Sequence, residues 1–447
     1  METVLKNVKI LTMDAEKKCY NNAYLKWKNN KITAIGPMEE YLSTNQQADI
    51  EIDGEDGIVM PGCINGHTHL SMIPFRGLGD DSPDRLRKIL LPLEQACLSK
   101  ELIYHAARYG IAESLLCGVT TVVDMYYQEE EVAKAADELG IRGLFTETLI
   151  EKDLTSQGNA YGLSASLEEI HAFLKNWKNH PRITSSISLH STYSCTEAFL
   201  QLGNQLSSDY GVPFTMHLAE MAYETEYFAK QGLSPVSYLK KIGILSERLL
   251  AAHCIQVDEQ DLEDFQKYGV SVAHCIGANT KGAKGIAPLK QMLNLNIPVA
   301  LGTDGPSSGN TIDMFTQMKL CANFHRNHVK ERGAFTADKI VSLTTDQAAK
   351  AIKQDKEIGS LEIGKQADLL LISCEKANMF PIYDLPSTIV YNTMTQNVDS
   401  VFVAGECVVK KGELVHAKLK DLRENLKMAM EKQRFYEEAG KLVNITR

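Results

Sequence analysis

Between about residue 61 and residue 362, short apolar runs alternate with longer stretches of helical periodicity. This alternation constrains the fold of the 447-residue chain more than any other feature. The runs are "PGCINGHTHL", "GVTTVVDM", "GLFTETLI", "ITSSISLH", "VPFTMHLAE", "LLAAHCI", "VSVAHC" and "IPVALGTDG". Stretches such as "KELIYHAARYGIAESLLC" and "EQDLEDFQKYG" fall between or beside them. Strand and helix patterns in alternation imply βαβ units and a parallel sheet. Most of the runs are apolar without a polar alternate, which suits burial on both faces. Roughly eight such units within about 300 residues fit a TIM-type (β/α)8 barrel. A doubly wound open sheet would show the same periodicity, but no Gly-rich dinucleotide turn marks one.

Both chain ends read differently. In the first sixty residues "TVLKNVKILTM" alternates loosely, and Asn29-Asn30 separates the β-prone "AYLKW" and "KITAIG". The C-terminal part returns to that style with "ADLLLIS" and "VDSVFVAGECVVKKGELV", the second folded at Ala404-Gly405-Glu406. Residues 1–60 and 363–447 are therefore predicted to form one composite β-sandwich domain around a catalytic barrel of residues 61–362. The last segment, "HAKLKDLRENLKMAMEKQRFYEEAG", places Leu419, Leu422, Leu426 and Met430 at helical spacing. It reads as an amphipathic packing helix.

A net charge of −10 argues against general attraction to nucleic acid or an anionic membrane. No run of 18 apolar residues exists, and "METVLKNVKILTMDAEKK" lacks an apolar core or cleavage site. The ten cysteines are scattered with no C-x-x-C pair. They read as small buried hydrophobes in a reducing cytosol, so a cytoplasmic protein is expected. The same absence removes the signature of nucleobase deaminases that hold zinc with cysteines. A metal in this chain would have to use His, Asp or Glu.

Residues of that kind stand at the ends of the apolar runs. His67 and His69 lie two apart, so on a strand both imidazoles point the same way. His190, His217 with Glu220, His253, His274 and Asp304 close later runs. Any one of them could simply bond backbone or cap a turn. Together they carry more weight, because parallel barrel strands end on one face, where barrel active sites lie. A buried cluster of this sort is costly unless paired or bound to an ion. Three imidazoles and a carboxylate suit zinc or ferrous iron with a position open for water. Such an ion brings the pKa of its water toward neutrality. Asp304 could then take a proton from that water, and Glu220 could carry one to a substrate. This division of labour describes hydrolysis at an electrophilic carbon.

"PGCINGHTHL", "HLAE", "AHC", "GTDG" and "IGSLEIGKQADLLL" together resemble the amidohydrolase superfamily. Within it they are most similar to the branch of methylthioadenosine/S-adenosylhomocysteine deaminases and triazine or chloro-hydrolases. The resemblance implies a distorted barrel whose one divalent ion, Zn2+ with Fe2+ or Mn2+ as alternatives, is held by His67, His69, His217 and Asp304. It implies that Glu220 protonates the ring and that His253 orients the attacking water. Carboxylated-lysine relatives bind two metals, whereas His190 stands at that strand end here, which implies one. "KILLPLEQACLS" matches the deaminase pattern W-P-L-E with Leu91 in place of Trp, so Glu94 would bind ribose hydroxyls and His190 the sugar or its 5′ substituent.

The chain departs from the deaminase pattern in two places. Members that accept S-adenosylhomocysteine carry an arginine near the end of the third strand, where this chain has Thr146-Glu147-Thr148 and only the earlier Arg142. A glutamate there is expected to repel a carboxylate. The loop of residues 275–284 also differs from the usual H-N-P-x-S-N, although His274 and Gly285-Ile286-Ala287-Pro288 match. "FRGLGDD", residues 75–81, resembles a pocket-shaping loop without chemistry of its own.

The resulting expectation is deamination of a 6-aminopurine nucleoside: adenosine, 5′-deoxyadenosine, 5′-methylthioadenosine or, less favoured, S-adenosylhomocysteine. The alternatives are deamination or chlorohydrolysis of another heterocycle (guanine, a pterin, cytosine or a triazine), and a non-catalytic scaffold. The small-molecule substrate would be the main partner, and superfamily habit allows a homo-oligomer.

Overall fold

The computed structural model describes residues 1–43, 48–151 and 165–443. Each of the three expected segments, 1–60, 61–362 and 363–447, includes positions outside the described residues.

The N-terminal hairpins form as their turn residues dictate. β1 (Glu2–Leu11), β2 (Cys19–Lys28) and β3 (Lys31–Pro37) run antiparallel, with Asn29 in the left-handed conformation between the last two. β4 (Ile50–Asp53) and β5 (Ile58–Pro61) pair parallel to β1. One residue later the chain enters the barrel. Its strands are β6 (Cys63–Thr68), β7 (Val119–Tyr126), β8 (Arg142–Leu149) and β9 (Ile183–Ser191). They continue as β10 (Phe214–Leu218), β11 (Leu249–His253), β12 (Ser271–His274) and β13 (Val299–Leu301). All eight pair parallel in chain order. The alternation of apolar and helical patterns was therefore a (β/α)8 barrel.

Closure between β13 and β6 is irregular. The amides of Thr303 and Asp304 donate to His67 O at 3.1 and 3.0 Å. Elsewhere along this seam Leu343 and Thr344 take the place of a partner strand, accepting from Leu301 N and Ile64 N at 2.8 Å each. Ile64, Val123, Leu144 and Leu250 pack inside with Ala252, Ala273 and Ala300, and Ala348 and Ile352 join them. That cluster leaves polar residues to the opposite end.

β14 (Leu369–Ile372), β15 (Val398–Val403), β16 (Glu406–Lys410) and β17 (Glu413–Leu414) return to the first sheet. β14 pairs antiparallel with β5, so both chain ends share one hydrogen-bonded nine-stranded mixed sheet. The sheet folds over its own core: Trp27 of β2 meets Phe402 of β15 at 5.2 Å, and Trp27 Nε1 donates to Gly405 O at 3.1 Å. The turn at Ala404-Gly405 is left-handed at both residues, as a tight hairpin between twisted strands needs.

Arg142 at the start of β8 binds the barrel to this sheet. Its guanidinium donates to Asp368 at 2.6 and 3.1 Å and to Pro181 O at 2.8 Å, and both charged residues are buried. Removing one partner leaves the other charge uncompensated, which costs about 3–5 kcal/mol. Arg142→Met is therefore expected to lower stability by that amount in denaturant unfolding; an unchanged midpoint would show that the pair holds nothing.

The expected single C-terminal helix is two. Leu419–Lys432 buries Leu422, Leu426 and Met430, and a left-handed Arg434 then turns the chain into Phe435–Leu442. The break brings Phe435 onto Phe75 at 5.2 Å, a contact helical spacing does not reveal. Among the described residues no helix is long and apolar enough to cross a membrane.

Candidate active site

The polar strand ends of β6, β10, β11 and the turn after β13 converge on a cavity of about 450 Å3. His67 comes from β6 and His69 directly follows it, His217 comes from β10, and Asp304 follows β13. Gly302 lets β13 approach β6, since a Cβ there would lie 2.9 Å from His67 N. Ala219, His253 and Asp304 all have positive φ, at 50, 71 and 60°. Such backbone is costly for these residues and clusters where a site demands it.

The imidazoles of His67, His69 and His217 lie with ring centroids 4.8–5.4 Å apart. Their donor atoms lie within 4.8 Å of one another, as do those of His67, His253 and Asp304. Asp304 Oδ1 is 3.2 Å from His69 Nε2 and 3.9 Å from His67 Nε2. The far nitrogens are committed to backbone: His69 Nδ1 bonds Met125 O, and His217 Nδ1 bonds His190 O at 3.1 Å. This leaves the two Nε2 atoms to face the cluster, an outer-shell arrangement that fixes tautomer and ring orientation. His67 Nε2 is buried with no hydrogen-bond partner. An orphaned imidazole nitrogen beside two more imidazoles and a carboxylate fits a divalent cation.

Electrostatics point the same way. Burial, with the neighbouring imidazoles, holds His67 and His217 neutral, well below the usual histidine range. Burial opposes charge on His69 too, but the Asp304 hydrogen bond and charge lift it to about 9. The Asp304 carboxyl is buried as well, which opposes its charge, yet the hydrogen bond to His69 and the nearby imidazoles of His69, His253 and His67 keep it far below the ordinary carboxylate range. The proton shared there is what a cation would replace.

Residues 58–408 match the amidohydrolase family. This chain belongs to that family. The amidohydrolase is 34% identical over 419 residues to a protein of Thermoanaerobacter pseudethanolicus named 5-methylthioadenosine/S-adenosylhomocysteine deaminase, covering 93% of this chain and 95% of that one. It superposes on the crystal structure of an adenosine deaminase from Xanthomonas campestris with bound zinc at TM-score 0.92, with 25% identity over 97% of this chain and 98% of the other. An atrazine chlorohydrolase from Arthrobacter aurescens, complexed with zinc, shares the fold at TM-score 0.85 with 21% identity, covering 96% of this chain and all of that one.

Around the cluster, the amidohydrolase cavity is lined by Glu220, His253, Glu94, His190 and Thr148 among others. Glu220 Oε1 lies 3.7 Å from His253 Nε2, and His253 Nδ1 is bonded to Asn279 Oδ1 at 2.9 Å. Glu94 is buried and accepts from the Tyr126 hydroxyl at 2.6 Å. It sits on the helix Leu91–Cys97, facing the cavity. His190 Nδ1 pairs with Ser194 Oγ at 2.8 Å, and burial pulls its pKa down to about 4, so the ring is neutral.

Two sequence expectations change. Glu147 does not face the cavity: its carboxylate accepts from Gln128 N and Glu129 N at 3.0 and 2.7 Å, capping the helix Glu129–Leu139. Side-chain alternation along β8 turns Thr148 inward instead, so no repulsion of a carboxylate arises from Glu147. His274 leaves the cluster as well. It points toward the helix Met314–Val329, where its Nε2 bonds His325 Nε2 at 2.8 Å. The 275–284 loop, which differs from the family pattern, supplies a site residue. Asn279 falls where the last Asn of H-N-P-x-S-N would stand, five positions after His274, and that spacing was the signal for it. Tyr126 and Lys284 carried no sequence signal. The 75–81 loop is pinned at the mouth: Asp80 accepts from Asn310 Nδ2 at 2.7 Å and pairs with Lys281 at 3.0 Å.

Proposed function

We propose that this amidohydrolase deaminates a 6-aminopurine nucleoside hydrolytically, giving the inosine derivative and ammonia. The observation that carries the reading is one cavity lined both by His69, His217 and Asp304, which cluster with the orphaned His67 nitrogen, and by the buried Glu94 carboxylate. The first fits metal-assisted hydrolysis, and the second fits a ribose diol, since a carboxylate accepts two hydroxyl hydrogen bonds. The names of the relatives support the same chemistry.

His67, His69, His217 and Asp304 would hold one divalent ion, with Zn2+ favoured over Fe2+ or Mn2+. Bound there, it would supply Lewis acidity and a water of lowered pKa. The chain's residues do the rest. Asp304 accepts a proton from the attacking water. Glu220 delivers a proton to the ring nitrogen beside the carbon under attack, lowering the cost of breaking ring aromaticity. His253, held by Asn279, orients the water and steadies the charge that develops on its oxygen. A second proton passes to the amino group, and ammonia leaves.

Adenosine, 5′-deoxyadenosine and 5′-methylthioadenosine fit this site best. S-adenosylhomocysteine fits less well, because Thr148 rather than an arginine faces the cavity from the end of β8. Ammonia release across a panel of nucleosides tests the reading, and inactivity on every 6-aminopurine nucleoside would end it. Deamination or dehalogenation of another heterocycle is the second reading, favoured by the divergent 275–284 loop. Glu94→Gln separates the two. Losing charged hydrogen bonds of about 1.5–3 kcal/mol each should lower kcat/KM for a nucleoside about 10- to 100-fold. A free base, with no diol to hold, should be turned over almost unchanged.

A further inference from the structure

Lys284 lies in the loop that departs from the deaminase pattern, yet its ammonium reaches the reaction site. Its Nζ donates to Glu220 Oε1 at 2.5 Å, and the two side chains are only 22 and 11% exposed. Lys284 is not loosely placed. Its amide donates to Asn279 O at 3.0 Å, and its carbonyl accepts from Gln256 Nε2 at 3.3 Å. Gly285 follows at φ 120°, where a Cβ would come within 2.9 Å of the Ile255 side chain. Asn279 thus anchors two groups at once: its side chain orients His253, and its carbonyl anchors Lys284.

The consequence for Glu220 is asymmetric. Oε1 is taken by Lys284 and lies 3.7 Å from His253, whereas no hydrogen bond is made to Oε2 among the described residues. We propose that Lys284 is a positioning residue that clamps Glu220 by one oxygen, so that the other is presented to the ring nitrogen it must protonate. A glutamate side chain has three rotatable torsions, and its proton transfer depends on being within hydrogen-bond reach of the acceptor. An ammonium on one oxygen removes that freedom before substrate arrives. It also stabilises the carboxylate left behind when the proton departs. The inference rests on the deaminase reading for its kinetic consequence, but the clamp itself does not.

The kinetic arm uses metal-loaded full-length protein and the nucleoside that the wild type turns over best. Lys284→Met and Lys284→Ala are expected to lose about 10- to 100-fold in kcat, with KM changed less than about threefold and metal content unchanged. Ethylammonium added to Lys284→Ala should restore a saturable fraction of the rate, which a merely structural lysine would not allow. Wild-type kcat in both variants, or loss without amine rescue, overturns the proposal and leaves the deaminase reading intact. A wild type that releases no ammonia counts against that reading instead. The second arm needs no substrate. Acetic anhydride should modify Lys284 at least about tenfold faster in Glu220→Gln than in wild type, read by peptide mass. Equal rates would show there is no clamp.

Discussion

Glu220→Gln is expected to lower kcat by about 10²- to 10⁴-fold, the range over which a positioned acid or base contributes. The amide keeps the shape of the side chain but cannot hold and release the proton. Glu220 is buried, and its environment is arranged around a charge: Lys284 at 2.5 Å and His253 at 3.7 Å. Because none of the four proposed metal ligands is altered, metal content should stay at the wild-type value. KM should move far less than kcat, since the interaction lost is made in the transition state. Steady-state ammonia release together with metal analysis checks this. A variant within fivefold of wild type would mean that another group delivers the proton, and the role given to Glu220 would fall.

Metal removal is the second large effect, and its pH dependence has a defined sign. In the metal-free protein His69 titrates near 9, above the ordinary 6.5, because Asp304 holds its proton. A group raised in the folded state contributes stability that is complete below the unfolded value and is lost as pH climbs through the folded one. The His69–Asp304 pair should therefore contribute on the order of 3 kcal/mol at pH 6, falling away by pH 9 to 10. A cation occupying the same donors replaces that proton, so the loaded protein escapes this loss. The gap in Tm between loaded and chelator-treated protein should widen as pH rises from 6.5 to 9. A constant gap would show that His69 does not exchange a proton for the ion. Chelation should also abolish ammonia release, and divalent zinc should restore it.

The barrel was legible because its strands are buried on both faces. "GVTTVVDM" and "ITSSISLH" have no solvent face to obscure their apolar character, and both lie in the barrel sheet. That histidines and acids at the strand ends gather on one face followed from strand direction, whereas the choice of His67, His69, His217 and Asp304 among them came from the family resemblance. What failed was side-chain orientation at strand ends. His274 and Glu147 sit on strands read correctly, but which way each points depends on where the barrel wall turns, and a run of apolar letters does not record that. Lys284 was hidden for another reason. Its partner Glu220 is 64 residues away, and only the fold of the 275–284 loop brings them together. The break at Arg434 was likewise set by a tertiary contact, Phe435 on Phe75, against an unbroken helical periodicity.

The pairing of β14 with β5 has a consequence for how the protein is made. During synthesis β5 emerges early, and β6, which carries His67 and leads into His69, begins two residues after it. The hydrogen-bonding edge of β5 then stays bare until nearly the whole barrel has left the ribosome, because its antiparallel neighbour comes from the far end of the message. Unpaired edges of that kind invite wrong partners. Chains that stall before Leu369 should accordingly be the ones that aggregate or recruit chaperones.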